Sequence, residues 1–206
     1  GDGVQFEGKV LPYRQQQCDR YSQQRTFCET YHLTPHYARW RLTGFASPSS
    51  CTAFAGKSLL PRRVPYPTFA VCSPETVLKS GAVVPCPPAE APSKETPLQN
   101  EIQRLTTVPE REDKRSYTRG TQLNVPKKSF AVLDFGRNLC GFIGFSLVCD
   151  APARVLLVFD EVMVEGDILF IRQMSLNVVA CDLTKAGQYA LESIEPYVMK
   201  YLKIIV

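Results

Sequence analysis

The sequence contains no long hydrophobic run, since no apolar stretch approaches the roughly 20 residues that a membrane-spanning helix needs. It contains no Cys-x-x-Cys pair, which argues against a zinc site. It has two histidines and one tryptophan, and no motif pairs a nucleophile with a base. We therefore expect no membrane partner, no metal, no cofactor and no catalytic residues within the chain.

Charge of one sign is not concentrated anywhere in the chain. Lys and Arg number 24 and Asp and Glu number 20, which gives a net charge of +4. The basic residues are scattered among acidic ones, whereas a nucleic-acid partner requires a clustered basic face, so no nucleic acid is expected. The 206 residues are 44% hydrophobic, which is enough to bury a core in one large or two small domains.

The eight cysteines lie at irregular spacings. Cys140, Cys149 and Cys181 fall inside apolar, strand-like runs, where a free thiol behaves as a small buried hydrophobe. This favours free thiols and a cytoplasmic location; the alternative is a secreted domain held by disulfides. The chain begins Gly1-Asp2-Gly3 and ends in an apolar strand pattern. We therefore expect a piece of a longer protein, secreted if its missing N-terminal part held a signal peptide.

Local composition divides the chain into three parts. Residues 1–80 indicate short strands and turns. Residues 81–120 are rich in proline and charge, which predicts an irregular, exposed linker or surface excursion. Within it, Leu98, Ile102 and Leu105 are spaced for two helical turns. Residues 121–206 are predicted to form a β-sandwich domain.

The fold class follows from the last part. Strand-like runs recur there at intervals of about 8–15 residues, without a long helix pattern between them. Such spacing is typical of antiparallel sandwiches rather than parallel α/β sheets. We predict an all-β fold, an antiparallel β-sandwich of jelly-roll type, with the irregular Pro-rich connection inserted.

One ordered set of motifs resembles a known family. The set is Asp134-Phe135-Gly136-Arg137-Asn138-x-x-Gly141-Phe142, then Phe159-Asp160-Glu161-Val162, Arg172, Gly187-Gln188-Tyr189 and Glu195-Pro196-Tyr197-x-x-Lys200-Tyr201-Leu202. It is similar to the β-sandwich domain that precedes the catalytic domain in bacterial α-L-rhamnosidases and related glycoside hydrolases, and Arg63 to Phe69 resembles the segment that introduces that domain. Family members usually carry an aromatic–Arg pair at Met199-Lys200 and a tryptophan at Phe142, which indicates a divergent subgroup.

The resemblance implies a parent protein in which this region precedes an (α/α)6 barrel with the catalytic carboxylates. Inverting glycoside hydrolysis needs two carboxyl groups across the scissile bond, and the family keeps both in the barrel. The chain is therefore expected to be a non-catalytic accessory region that packs against the barrel. The alternative is an autonomous carbohydrate-binding module for a rhamnose-containing glycan.

Asp134, Gly136, Asn138 and Gly141 are expected to be structural. Asp134 can accept backbone N–H bonds in a turn at Arg137-Asn138, and the two glycines permit positive φ or close strand approach. A sugar-contacting loop is the alternative. The Asp-Phe-Gly triplet also occurs in protein kinases, but the sequence has neither the Gly-rich loop nor the His-Arg-Asp loop of that family.

A carboxylate in the apolar run from Val155 to Val164 is costly to bury unless it is paired. Arg172, on a returning segment, is the candidate bidentate partner of Asp160 and Glu161. We predict a buried or half-buried ion pair between Glu161 and Arg172 that joins two strands. The alternative is that this pair holds sugar hydroxyls. Tyr197 and Tyr201 are assigned structural roles with the same motif set.

Trp40, the single tryptophan, alternates with Arg39 and Arg41. This alternation favours a core position for the indole, although exposed aromatics also stack on sugar faces. If the chain has a sugar platform, Trp40, Arg39 and Arg41 are its candidates. His32 and His36 are spaced i, i+4, but the proline between them disfavours the helix that would bring both onto a metal.

Overall fold

The computed structural model describes residues 12–16, 18–22, 27–38, 63–86, 97–111 and 114–206. Strands dominate this part of the chain, and the predicted all-β fold is confirmed. The elements are β1 (Glu29–Leu33), β2 (Thr76–Pro85), α1 (Pro97–Gln103), β3 (Leu105–Arg111), β4 (Arg115–Ser116), β5 (Ser129–Gly141), β6 (Gly144–Cys149), β7 (Ala153–Asp160), β8 (Ile171–Arg172), β9 (Ser175–Leu176), β10 (Val178–Leu183), β11 (Gly187–Glu192) and β12 (Tyr197–Ile205). Within these ranges no helix has the length and apolar character to cross a membrane.

Eight strands form one large sheet. Its order is β1-β10-β7-β12-β5-β2-β3, and β4 pairs with β2 beside this path. Neighbours are antiparallel, as predicted, except that β1 pairs in parallel with β10. The strands β6 and β11 form a separate antiparallel pair, and β8 and β9 form another.

The large sheet is covered on both faces. On one face, Leu157 and Phe159 of β7 share a core cluster with Tyr189 and Leu191 of β11. The pair β6–β11 therefore stacks on the large sheet as the second layer of a β-sandwich. Along β7, successive side chains point to opposite faces, so Val158 and the residues in phase with it face the other cluster. Burial on both faces explains why β7 is a continuous apolar run.

Helix α1 covers the second face. Its buried residues Leu98 and Ile102 belong to the second core cluster, as their predicted spacing requires. Because seven residues are too few for a stable isolated helix, polar contacts hold it. Asp19 Oδ2 accepts hydrogen bonds from the backbone N–H groups of Leu98 at 2.8 Å and its successor at 3.2 Å. Arg154 of β7 donates to both carboxylate oxygens of Glu101, at 2.9 and 2.7 Å.

Residues 81–120 were predicted to form an irregular connection, but the structure contains strands in this range. Strand β2 runs from Thr76 to Pro85 across the predicted boundary, and it pairs with both β3 and β5. The boundaries at residues 80 and 120 therefore do not coincide with a break in the large sheet. Pro109 fits because β3 is an edge strand, where the missing N–H of a proline breaks no interior ladder.

The thiols follow the burial pattern in part. Cys181 is fully buried, as expected, whereas Cys140 is exposed and Cys149 intermediate, so the expected burial of these two is wrong. Cys149 is the last residue of β6, in the covering layer, and packs against the first core cluster. Among the described residues, the cysteines are free thiols. Burial raises the pKa of Cys28 to about 12, which makes that thiol unreactive at neutral pH.

Glu29 of β1 is fully buried, and donors surround its carboxylate. Oε1 accepts hydrogen bonds from Glu195 N at 2.8 Å and the Tyr197 hydroxyl at 2.9 Å. Oε2 accepts them from Ile194 N at 2.9 Å and from the Tyr31 hydroxyl. Burial and the neighbouring carboxylate raise the pKa of both tyrosines, so they remain donors. The carboxylate thus ties β1 to the connection between β11 and β12.

We predict that Glu29→Gln lowers the free energy of unfolding by about 3 kcal/mol, because an amide group would face N–H donors and charged hydrogen bonds are each worth about 1.5–3 kcal/mol. Urea denaturation followed by circular dichroism measures the change. Glu110→Gln, on the exposed edge strand β3, is the matched control and should stay within about 0.5 kcal/mol of the parent sequence. Equal effects of the two substitutions would contradict the role of Glu29.

Candidate functional site

Most of the ordered motif set gathers on three adjacent strands of the large sheet, at the point where β7 ends. In the middle strand, β12, Tyr201 pairs with Asp134 of β5 on one side and with Asp160 of β7 on the other. Arg172 reaches the same place from β8. Residues that lie far apart in the sequence are therefore brought together by strand register, and we call this group the motif cluster.

Strand β5 bulges within the motif cluster. Its pairing changes from Asp134 opposite Tyr201 to Leu139 opposite Met199, so that residues 135–138 stand opposite Lys200 alone. The extra residues bend the strand and end regular pairing locally. The predicted stop of this strand at residues 136–138 is therefore wrong, since β5 continues to Gly141.

Gly136 lies inside the bulge, with a φ of 72°. Its N–H donates to Asp134 Oδ1 at 2.7 Å. The donor to Asp134 is therefore residue 136, whereas the prediction placed the donors at residues 137 and 138. A Cβ at Gly136 would lie 2.2 Å from Oε2 of Glu75. The backbone conformation therefore favours glycine at this position, and a larger residue would also have to displace the Glu75 side chain.

Arg172 pairs most closely with Asp160. Its Nε donates to Oδ2 and its Nη2 to Oδ1, both at 2.6 Å, whereas its Nη2 lies 3.8 Å from Glu161 Oε2. The Asp160 side chain is 2% exposed and that of Glu161 is 40% exposed. The predicted Glu161–Arg172 ion pair is therefore present as the longer contact, and the buried bidentate partner is Asp160. Asp160 is the last residue of β7 and is in phase with Val158, which faces the covering segment that holds Arg172.

The electrostatics of this pair are favourable. The hydrogen bond from Arg172 to Asp160 raises the pKa of the guanidinium, which keeps it charged. Glu161 instead accepts a hydrogen bond from Asn138 Nδ2 at 3.3 Å. This contact joins the β5 bulge to the end of β7 across β12. The polar residues of the motif cluster therefore link strands, and they bond to one another.

Two of the motif residues assigned structural roles lie away from the motif cluster. Gly141 and Tyr197 pair with each other where β12 begins, and the Tyr197 hydroxyl donates to Glu29. Gly141 does not have a positive φ, and a Cβ there would meet open space, so the conformational reason predicted for this glycine is wrong. The candidates Trp40, Arg39 and Arg41 lie outside the described residues.

The histidines do not form a metal site. His32 Nδ1 lies 2.6 Å from Asp182, its cross-strand partner on β10, and His36 lies beyond the end of β1 with a φ of 64°. In the described ranges, no group of three or more His, Cys, Asp and Glu side chains has a geometry that suits a metal ion.

An exposed apolar strip beside the motif cluster escaped the sequence analysis. It consists of Val64, Tyr66, Phe69, Val71 and Phe142, which are 63, 80, 74, 75 and 42% exposed, respectively. The rings of Phe69 and Phe142 contact each other at a centroid separation of 6.2 Å. The first four members lie in an extended segment whose prolines exclude helix. The sequence signal that could have indicated this strip is the alternation of proline with large apolar residues in this segment.

The chain that follows the strip contacts the motif cluster. Glu75 N donates to the carbonyl oxygen of Asp134 at 2.8 Å, and Tyr117 N donates to the carbonyl oxygen of Glu75 at 2.7 Å. Nearby, Arg137 Nη2 lies 3.9 Å from Cys72 Sγ, the residue after Val71. The β5 bulge therefore anchors the chain just beyond the strip.

We predict that Arg172→Met lowers the free energy of unfolding by roughly 3 kcal/mol, because it leaves the buried Asp160 carboxylate without its cation. Glu161→Gln, which changes an exposed partner of the same arginine, should cost about 0–1 kcal/mol. Urea denaturation of both variants measures the difference. A larger loss for Glu161→Gln than for Arg172→Met would show that the exposed carboxylate is the important one.

No family model and no curated protein matches the sequence. Among solved structures, the chain is similar to α-L-rhamnosidases. The enzyme from Dictyoglumus thermophilum is 18% identical with a TM-score of 0.34, over 37% of this chain and 9% of that one. The family 78 rhamnosidase of Bacillus sp. GL1 is 20% identical with a TM-score of 0.36, over 51% and 13%. The Klebsiella oxytoca rhamnosidase with rhamnose bound is 20% identical with a TM-score of 0.35, over 65% and 25%. The chain thus spans at most a quarter of the length of these proteins, and the predicted resemblance is confirmed as a partial likeness to them.

Proposed function

We propose that this chain is a non-catalytic accessory β-sandwich region of an α-L-rhamnosidase-like glycoside hydrolase, and that it packs against and supports a catalytic (α/α)6 barrel of the parent protein. The observation that carries the proposal is the exposed apolar strip beside the motif cluster. The ordered motifs support the assignment to the rhamnosidase-like family, and the strip is the proposed contact surface for the barrel.

The strip has the composition of a docking surface. Tyr66 and Phe69 are large aromatic side chains that are 80 and 74% exposed, and aromatic residues dominate the energetics of protein interfaces. Contiguous apolar patches on a soluble protein usually mark interaction sites, because their exposure to water is unfavourable. The barrel is the proposed occupant of this surface. The segment from Arg63 to Phe69 resembles the one that introduces the β-sandwich domain in α-L-rhamnosidases, and in that family this domain directly precedes the catalytic barrel.

The buried carboxylates are engaged in holding the fold. Glu29 accepts hydrogen bonds from two backbone N–H groups and two tyrosines, Asp160 binds Arg172, and Asp19 caps α1. A general acid and its partner in an inverting glycosidase must instead face a cleft roughly 6.5–9.5 Å apart, with room for water and sugar. These contacts therefore suit a supporting role.

The second candidate function is an autonomous carbohydrate-binding module. The exposed rings of Tyr66 and Phe69 favour it, because aromatic faces stack on sugars. In this case the chain alone binds a rhamnose-containing glycan. An accessory region does not bind the glycan in isolation, so the two functions predict different outcomes for the same protein.

We expect the isolated chain to have no glycosidase activity and the full-length parent to hydrolyse an aryl α-L-rhamnoside. Both proteins are assayed side by side on this substrate and on a panel of other aryl glycosides, and the chain is titrated with rhamnose-containing glycans. Turnover by the isolated chain would refute the accessory function. Saturable glycan binding by the chain would favour the binding module, and an inactive parent would refute the rhamnosidase proposal.

The docking surface is tested by the double substitution Tyr66→Ser and Phe69→Ser. In the isolated chain these exposed side chains contribute little, so the free energy of unfolding should stay within about 0.5 kcal/mol. In the full-length parent the same changes should lower the melting temperature, because they remove apolar contact with the barrel. Val148→Ser, at a β6 residue that is 64% exposed, is the control. An unchanged parent melting temperature would contradict docking through the strip.

A further inference from the structure

We propose that a cavity on the α1 side of the large sheet binds a small apolar monocarboxylate, such as a short-chain fatty acid. The cavity has a volume of about 260 Å³. Its apolar walls include Ile102 of α1, Leu105 of β3 and Ile205 of β12, and its polar groups come from Lys203, Asp167 and Thr107. The inference is independent of the accessory function, because the cavity shares no residue with the strip.

Lys203 occupies an unusual place in the floor of the cavity. On β12 it pairs with Val132 of β5 on one side and with Val158 of β7 on the other. Both valines are almost completely buried, and Lys203 itself is 5% exposed. Burial lowers the pKa of Lys203, although the hydrogen bond to Asp167 opposes this effect. An apolar residue would suit this position better if stability were its purpose alone.

The charges around Lys203 favour an anion. Its Nζ donates to Asp167 Oδ2 at 2.7 Å and to Thr107 Oγ1 at 3.3 Å. A second cation, Lys79, has its Nζ 3.9 Å from Asp167 Oδ1. The two ammonium groups therefore face one carboxylate, and the group as a whole retains one positive charge. A carboxylate in the cavity neutralises that charge and accepts a charge-assisted hydrogen bond from Lys203, whereas the Thr107 hydroxyl already donates to Asp167 Oδ2 at 3.2 Å.

The volume and the wall residues of the cavity determine which hydrocarbon part of the ligand would fit beside the carboxylate. The volume is below the roughly 300–1,000 Å³ of drug-sized ligand pockets, so a small molecule is required. The walls are aliphatic side chains, together with Phe170. A sugar would lose hydrogen bonds of its hydroxyl groups to water against such walls, whereas a hydrocarbon tail gains by leaving water. A ligand with a carboxyl group at one end and a short hydrocarbon body therefore suits both the charged groups and the apolar walls of the cavity.

The test uses the 206-residue chain labelled at isoleucine methyl groups and titrated with hexanoate by NMR. We expect saturable shifts at Ile102, Ile168 and Ile205, which line the cavity. Ile143 is equally buried but belongs to the cluster on the other face of the sheet, so its methyl signal should not move. Hexan-1-ol, which lacks the carboxylate, should bind at least about tenfold more weakly, as expected for the loss of a charge-assisted hydrogen bond.

Two substitutions localise the charge requirement. Lys203→Met should weaken hexanoate binding by at least about tenfold. Lys200→Met removes the same charge from the same strand, at a half-buried residue outside the cavity lining, and should leave binding unchanged. If Lys203→Met fails to fold, the titration of the unsubstituted chain still decides the question.

Several results would overturn the proposal. These are the absence of saturable shifts with hexanoate, shifts at Ile143 equal to those at the cavity methyls, equal affinity for hexan-1-ol, or equal loss of binding in the two lysine variants. If L-rhamnose bound more tightly than hexanoate and shifted the same methyl signals, the ligand of the cavity would be a sugar and not a carboxylate.

Discussion

Because the large sheet is covered on both faces, each charged side chain that it points inward must find a partner there. For Glu29, Asp160 and Lys203, at least one partner lies outside the large sheet. Glu29 binds the connection between β11 and β12, Asp160 binds Arg172 of β8, and Lys203 binds Asp167. Apolar burial supplies most of the stabilisation of such a sandwich, but these directional contacts determine where each covering element sits.

The sequence predicts most reliably what depends on local periodicity. Apolar runs identify β5, β6, β7, β10, β11 and β12, but not β8 or the separation of β9 from β10. The spacing of Leu98 and Ile102 identifies α1, although Leu105, the third residue of that spacing, begins β3. The choice between Asp160 and Glu161 cannot be made in this way. The two carboxylates are adjacent and therefore point to opposite sides of a strand. Which one meets Arg172 depends on where β7 ends and on the path of the covering segment, and both are tertiary features.

Proline and glycine misled the sequence analysis for definite reasons. The prolines of residues 81–120 indicate a connection, but Pro109 is compatible with β3 because this strand lies at the sheet edge. Likewise, Asp134 and Gly136 form the same local hydrogen bond in a bulge as they would in a turn that ends a strand. Strand position in the sheet, which a single sequence does not encode locally, separates the alternatives.

The candidate site shows the same limit. Most of the ordered motifs identify residues that meet around Tyr201, in the middle of β12, where this strand pairs with both β5 and β7. They do not identify the strip, since Tyr66 and Phe69 would read equally well as core residues, and only the fold leaves them exposed. Lys203 is the converse case, a polar residue that the fold buries between Val132 and Val158. Burial against expectation, in either direction, is therefore what the tertiary fold adds to the sequence at these positions.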